Sequence, residues 1–160
     1  MSSIIILVMN GIHKNFSGPS YMNKNIIILI EDDDDLRSIF KVVISKFSPN
    51  CIILESNNGL EAIKLILDNS GSRLLIISDI FLPKLTGMEI AKYVRSNFIS
   101  AKLIAMTGSD LSDEMLISSG FEHVLRKDMN IIETIKNLED IVTIFSKNED
   151  FDPKYSKFIF

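Results

Sequence analysis

Five consecutive carboxylates, Glu31 to Asp35, follow the apolar run Ile26-Ile-Ile-Leu-Ile30. Asp79 follows "LLIIS", Thr107 follows "KLIAM", and Lys127 follows "HVLR". Each of these polar residues stands where an apolar segment ends. Two carboxylates about 5 Å apart at an effective dielectric near 20 repel by roughly 3 kcal/mol. Three brought together tend to raise their pKa values or demand a cation. If Glu31, Asp32 and Asp79 converge, Lys127 supplies one positive charge and a divalent ion would supply the rest. No cysteine or histidine stands at these positions. The ligands are therefore hard oxygens, which favours Mg²⁺, with Mn²⁺ as the alternative, over zinc.

The elements that must bring these residues together follow from the apolar periodicity. Residues 26–30 form a β-branched run suited to a strand buried on both faces. Leu36, Ile39, Phe40, Val43, Ile44 and Phe47 then recur at helical spacing, and "SPN" at 48–50 ends that helix. The alternation continues through strands at 51–55, 74–78, 102–106 and 123–126. The later helices fall around 60–67, 87–95, 112–120 and 130–145. Strict alternation predicts an α/β fold, a doubly wound parallel sheet with helices on both faces. Right-handed crossovers make the five-stranded order 2-1-3-4-5 the expected topology. Ligands bind such sheets outside the carboxyl ends of the strands. The acids then cap the strands at that rim rather than enter the core. Asp34 and Asp35, with Asp33, fall where the first helix begins, and capping is the role expected of them.

Composition narrows the classes. Net charge is −4, with five of the 21 acidic residues at 31–35, so there is no basic footprint for direct nucleic-acid binding. Cys51 is the one cysteine, which excludes an internal disulfide and a thiolate cage and suits a reducing, cytoplasmic setting. No apolar run approaches the roughly 18 residues of a membrane helix. "IIILVM" at 4–9 is short and no Lys or Arg precedes it, unlike a secretory signal. Residues 1–22 read as an extension, with Met22 an alternative start, 23–147 as one domain, and 148–160 as a tail. His123 reads as an edge or core residue and His13 as incidental.

Four motifs in order resemble those of the response regulator receiver domain, the phosphoacceptor half of two-component signalling. "ILIEDDDDLR" resembles its acidic-pair motif. "LLIISDIFLPKLTGMEIAKYVR" (74–95) is similar to its acceptor motif, "KLIAMTG" (102–108) to its hydroxyl motif, and "HVLRK" (123–127) to its lysine motif. The likeness covers roughly residues 24–146.

The resemblance implies a flavodoxin-like receiver fold and a role for each residue. Asp79 would be the nucleophile that accepts a phosphoryl group. Glu31, Asp32, Asp79 and the backbone carbonyl of Phe81 would hold Mg²⁺. Thr107 and Lys127 would contact phosphoryl oxygens, and Gly108 would leave room for the group. The phosphoryl donor would be a sensor histidine kinase or a histidine phosphotransfer protein. The output would be a protein target met through the fourth helix, fifth strand and fifth helix. The domain would be a monomer or weak dimer, and a phosphoacceptor rather than an enzyme. About 14 residues follow the last helix, too few for a DNA-binding module, so a stand-alone, chemotaxis-type receiver is expected.

Three departures from the family pattern carry expectations. Asp128 replaces a proline after the lysine. Val124 replaces the aromatic switch residue. Phe81 replaces a side chain that is often polar, which predicts slow self-dephosphorylation by obstructing the attacking water. A degenerate receiver, acting as a phosphorylation-independent interaction module, is the competing reading. A phosphohydrolase of the haloacid-dehalogenase type would carry an acid where Phe81 stands. A flavin domain of this topology would not place five acids at its phosphate loop.

Overall fold

The computed structural model describes residues 24–127 and 130–147. The chain alternates β1 (Asn25–Ile30), α1 (Asp34–Phe47), β2 (Ile52–Ser56), α2 (Gly59–Asp68) and β3 (Arg73–Ser78). It continues with α3 (Gly87–Ser96), β4 (Ala101–Thr107), α4 (Asp113–Ser118), β5 (His123–Arg126) and α5 (Ile131–Ser146). All pairings are parallel and the sheet order is β2-β1-β3-β4-β5. The expected flavodoxin-like topology is thus observed, with element ends shifted by one or two residues. The extension at 1–22, including His13, the tail at 148–160 and Asp128 lie outside the described residues.

The β-branched run of β1 is buried on both faces because successive side chains point to opposite sides. Ile26, Ile28 and Ile30 join a core with Ile63 and Ile66 of α2, Ile90 and Val94 of α3, and Leu116 of α4. Ile27 and Leu29 join a second core with Phe40 and Ile44 of α1 and Leu138, Val142 and Phe145 of α5. Each fully buried large aliphatic side chain contributes about 1.5–3 kcal/mol. β1 therefore anchors both layers at once. Among the described residues no helix is long and apolar enough to cross a membrane.

Register fixes the functional rim. Ile30 lies opposite both Ser56 and Ser78, so β1, β2 and β3 end level. The ladder runs one residue further, with Glu31 N donating to Ser56 O at 3.1 Å and Asp79 N donating to Ile30 O at 2.8 Å. Lys127 N likewise donates to Thr107 O at 2.9 Å. Glu31 and Asp79 therefore leave their strands at one height, whereas Lys127 leaves β5 two residues further along and its long side chain reaches back to both acids.

The three acids expected at the start of the first helix take distinct places there. Asp33, not Asp34 or Asp35, is the N-cap of α1: its backbone is extended and its carboxylate accepts from Asp35 N and Leu36 N, each at 2.9 Å. Only the residue just outside the first helical turn can aim its side chain at those amides. Asp34 and Asp35 occupy the first turn, where their charges complement the helix dipole.

Candidate functional site

The chain leaves β3 at Asp79 and is held by alternating burial. Ile80 and Leu82 pack into the core while Phe81 between them is 61% exposed. This alternation turns the Asp79 side chain into the rim and Phe81 to its edge. The carboxylate Oδ1 of Asp79 accepts from Ile80 N at 2.5 Å, with Phe81 N at 3.4 Å. Its backbone carbonyl accepts from the buried Ser78 hydroxyl at 2.7 Å. α3 starts beside it through a reciprocal cap, in which Thr86 Oγ1 accepts from Glu89 N and Glu89 Oε2 accepts from Thr86 N.

Glu31, Asp32 and Asp79 each offer a carboxylate oxygen within 4.8 Å of the others. Glu31 is 1% exposed and Asp79 is 7% exposed, whereas Asp32 faces solvent. Lys127 Nζ donates to Asp79 Oδ2 at 2.7 Å and to Glu31 Oε2 at 2.9 Å. One ammonium thus serves two buried acids, and a third acid completes the cluster. Burial pushes the Glu31 carboxyl above its ordinary value of 4.5; Lys127 opposes this by hydrogen bond and charge, and Asp79 adds to it. Burial also pulls the Lys127 ammonium down, but its bonds to and attraction by Asp79 and Glu31 outweigh that, leaving it above 10.5. The pair is lopsided: Lys127 gains from two carboxylates, whereas Glu31 is nearly enclosed and shares its cation. A pocket with two buried acids, one exposed acid and one lysine retains net negative charge. Its all-oxygen donor set suits a hard divalent cation.

The structure brings together the predicted Glu31, Asp32, Asp79 and Lys127. Phe81 reaches them through its backbone amide. Thr107 is fully buried at the end of β4, and its hydroxyl is engaged by Ser109, with Ser109 N donating to it at 3.1 Å and the two hydroxyls 3.0 Å apart. Ser109 was not singled out from sequence; its place two residues after Thr107 was the available signal. Gly108 lies beside Lys127, where an added Cβ would meet the Lys127 carbonyl at an ordinary 3.5 Å. His123 opens the edge strand β5, half-buried and in register with Ile104, and burial lowers its imidazole below the ordinary 6.5. Val124 packs, half-buried, against the core shared by α2, α3 and α4.

A family model for the response regulator receiver domain matches residues 27–139. The chain belongs to this family and carries the receiver domain of a two-component response regulator. It is similar to the transcriptional regulatory protein CpxR homolog of Haemophilus influenzae, with 25% identity over 117 residues, 72% of this chain and 49% of that protein. It is also similar to stress response regulator protein 1 of Debaryomyces hansenii, with 27% identity over 124 residues, 75% of this chain and 48% of that protein. The chain therefore spans about half the length of these curated relatives. Among solved structures, the signal receiver domain of a Luxo repressor protein from Vibrio parahaemolyticus matches with a TM-score of 0.65. That match has 25% identity and covers 85% of this chain and 97% of the other.

Proposed function

We propose that this receiver domain is a phosphoacceptor switch that takes a phosphoryl group onto Asp79 from a histidine kinase or histidine phosphotransfer protein. The observation that carries this reading is the buried Asp79 carboxylate, bonded to Lys127 and within 4.8 Å of the oxygens of Glu31 and Asp32. An Asp79 oxygen attacks phosphorus, a P–O bond forms, and the P–N bond to the donor imidazole breaks. The imidazole keeps that bonding pair and takes up a proton. Glu31, Asp32, Asp79 and the Phe81 carbonyl would hold Mg²⁺ or Mn²⁺, which when bound offsets negative charge on the transferring oxygens. Lys127 is placed to shift from the acids to a phosphoryl oxygen. Thr107 would reach the group by exchanging its Ser109 partner. No substrate turnover is assigned to the domain, and the setting proposed is the cytoplasm.

The proposed output surface is α4, β5 and α5. Met115 and Ile117 on α4 and Ile131 and Ile132 on α5 are exposed apolar side chains flanking β5, of the kind that marks partner surfaces. The domain itself is proposed to be a monomer or weak dimer that does not bind nucleic acid directly.

The test is intact mass after incubation with Mg²⁺ and a small phosphodonor. The wild-type chain gains one phosphoryl group and Asp79→Asn gains none. An unmodified wild type would instead favour a phosphorylation-independent module, the reading to which Val124 lends support. Phe81 carries a kinetic prediction. Phe81 is exposed two residues after the acceptor, and its bulky apolar side chain there would restrict approach of water to an aspartyl phosphate. Phe81→Asn supplies a group that orients water, and loss of label is expected to speed up about tenfold or more. A wild-type phosphorylated half-life of seconds would rule this out.

A further inference from the structure

Arg37, one turn into α1, touches the acidic rim without belonging to it. Its Nη1 donates to the backbone carbonyl of Glu31 at 2.8 Å, its Nη2 pairs with the Asp34 carboxylate, and its Nε lies 3.9 Å from Glu55 Oε2. The side chain is only 18% exposed. The Glu31 carbonyl belongs to the peptide that joins Glu31 to Asp32. On its other side Glu31 is held by its own amide, donating to Ser56 O of β2. Asp33, next along, is committed to capping α1.

We infer that Arg37 is a positioning residue for the proposed cation site, clamping the Glu31–Asp32 peptide so that both carboxylates face Asp79. This rests on the reading that the acidic pair takes a divalent ion. The loop 31–33 has no strand or helix of its own to fix it. Apart from the clamp, Glu31 is tethered at its amide by Ser56 O and at its carboxylate by Lys127 and Asp33 N, and among the described residues the Arg37 bond is the one made to the carbonyl between the two acids. The guanidinium fork suits the task because one planar group bonds a carbonyl and pairs with a carboxylate at once. Asp34 and Glu55 balance its charge, so the clamp adds little net repulsion toward a cation. Residues that orient ligands from outside the ligand set commonly govern affinity by 10–100-fold.

The experiment is Mg²⁺ titration calorimetry on the full chain, with amide hydrogen exchange of residues 31–33 in the divalent-free protein. Arg37→Ala is expected to bind Mg²⁺ about tenfold more weakly and to exchange faster at 31–33. Glu55→Gln removes the guanidinium's β2 partner, and the Lys41 partner with it, but not the carbonyl bond. Asp34→Asn removes the other carboxylate. Both are expected to bind as wild type does, and Arg37→Ala/Asp34→Asn to bind as weakly as Arg37→Ala. Unchanged affinity in Arg37→Ala overturns the inference. So does equal weakening in Glu55→Gln, or recovery in the double variant, which would assign the effect to Asp34. A wild type that takes up no Mg²⁺ defeats the cation reading itself, whereas wild-type uptake with an indifferent Arg37→Ala defeats only the clamp.

Discussion

Lys127→Ala is expected to bind Mg²⁺ more tightly than the wild type and yet to lose phosphorylation almost entirely. In the metal-free protein the ammonium is the counterion of two buried acids, Asp79 and Glu31. It therefore competes with any cation for the same oxygens. Removing it should tighten Mg²⁺ binding by about tenfold, the factor that about 1.4 kcal/mol of relieved competition supplies. The same change leaves two enclosed carboxylates unpaired. Breaking a buried pair from one side costs about 3 kcal/mol, so the variant should be less stable in chelator and recover as Mg²⁺ is added. Phosphoryl acceptance should fall about 100-fold or more, the usual loss when one preorganised donor to developing charge is removed.

The pH dependence follows from the two shifts. The Lys127 pKa is raised in the folded state, so its contribution is complete below 10.5 and is lost as pH rises through the folded value. The Glu31 pKa is also raised, so ionising it weakens the fold as pH climbs past 4.5 through its folded value. The stability gap between wild type and Lys127→Ala should therefore be small in acid, where the Glu31 carboxyl is neutral, and widen toward neutral pH. Denaturant unfolding in chelator across that range measures it. A gap independent of pH, or weaker Mg²⁺ binding by the variant, would show that Lys127 is not the counterion proposed.

Gly87→Ala should destabilise the fold by about 3 kcal/mol, at the upper end of the cost of overpacking. On helix propensity alone the sign would be opposite, since alanine is favoured over glycine by about 1 kcal/mol. Here the added Cβ would stand 2.2 Å from the Asp79 carbonyl oxygen and 3.0 Å from Ser78 Oγ. The oxygen cannot yield easily, because the Ser78 hydroxyl already holds it at 2.7 Å. Gly87 N also donates to Ile80 O at 2.9 Å, which ties the helix start to the same loop. Either α3 retreats from the sheet or the Asp79 backbone moves. Divalent uptake should then weaken along with stability. Gly71→Ala is the matched control, because nothing lies within 4 Å of a Cβ there. Comparable losses in the two variants would mean that the close approach at Gly87 does not govern the effect.

Much of this was legible from residue types in order. β1 could be recognised because Ile26 to Ile30 must be buried on two sides. Asp79 and Lys127 could be recognised because each ends an apolar run of strand length, and parallel strands deliver their ends to one rim. The family likeness named roles for these residues, and the family assignment was borne out. The order of capping was less legible. Asp33, Asp34 and Asp35 are chemically alike, and which of them caps α1 depends on where the backbone turns from extended to helical.

Sequence by itself determined that three carboxylates and one lysine would meet at the carboxyl edge of a parallel sheet, because apolar periodicity dictates the strands and the strands dictate their ends. Tertiary structure alone decided how those charges are partnered. It assigned Lys127 to Glu31 and Asp79 together, Arg37 to the Glu31 carbonyl, Ser109 to Thr107, and bare backbone to Gly87. These contacts join residues from 2 to 96 positions apart in the chain. Hydrogen bonds and close packing act over about 3 Å, a scale that residue order does not fix until the layers are in place.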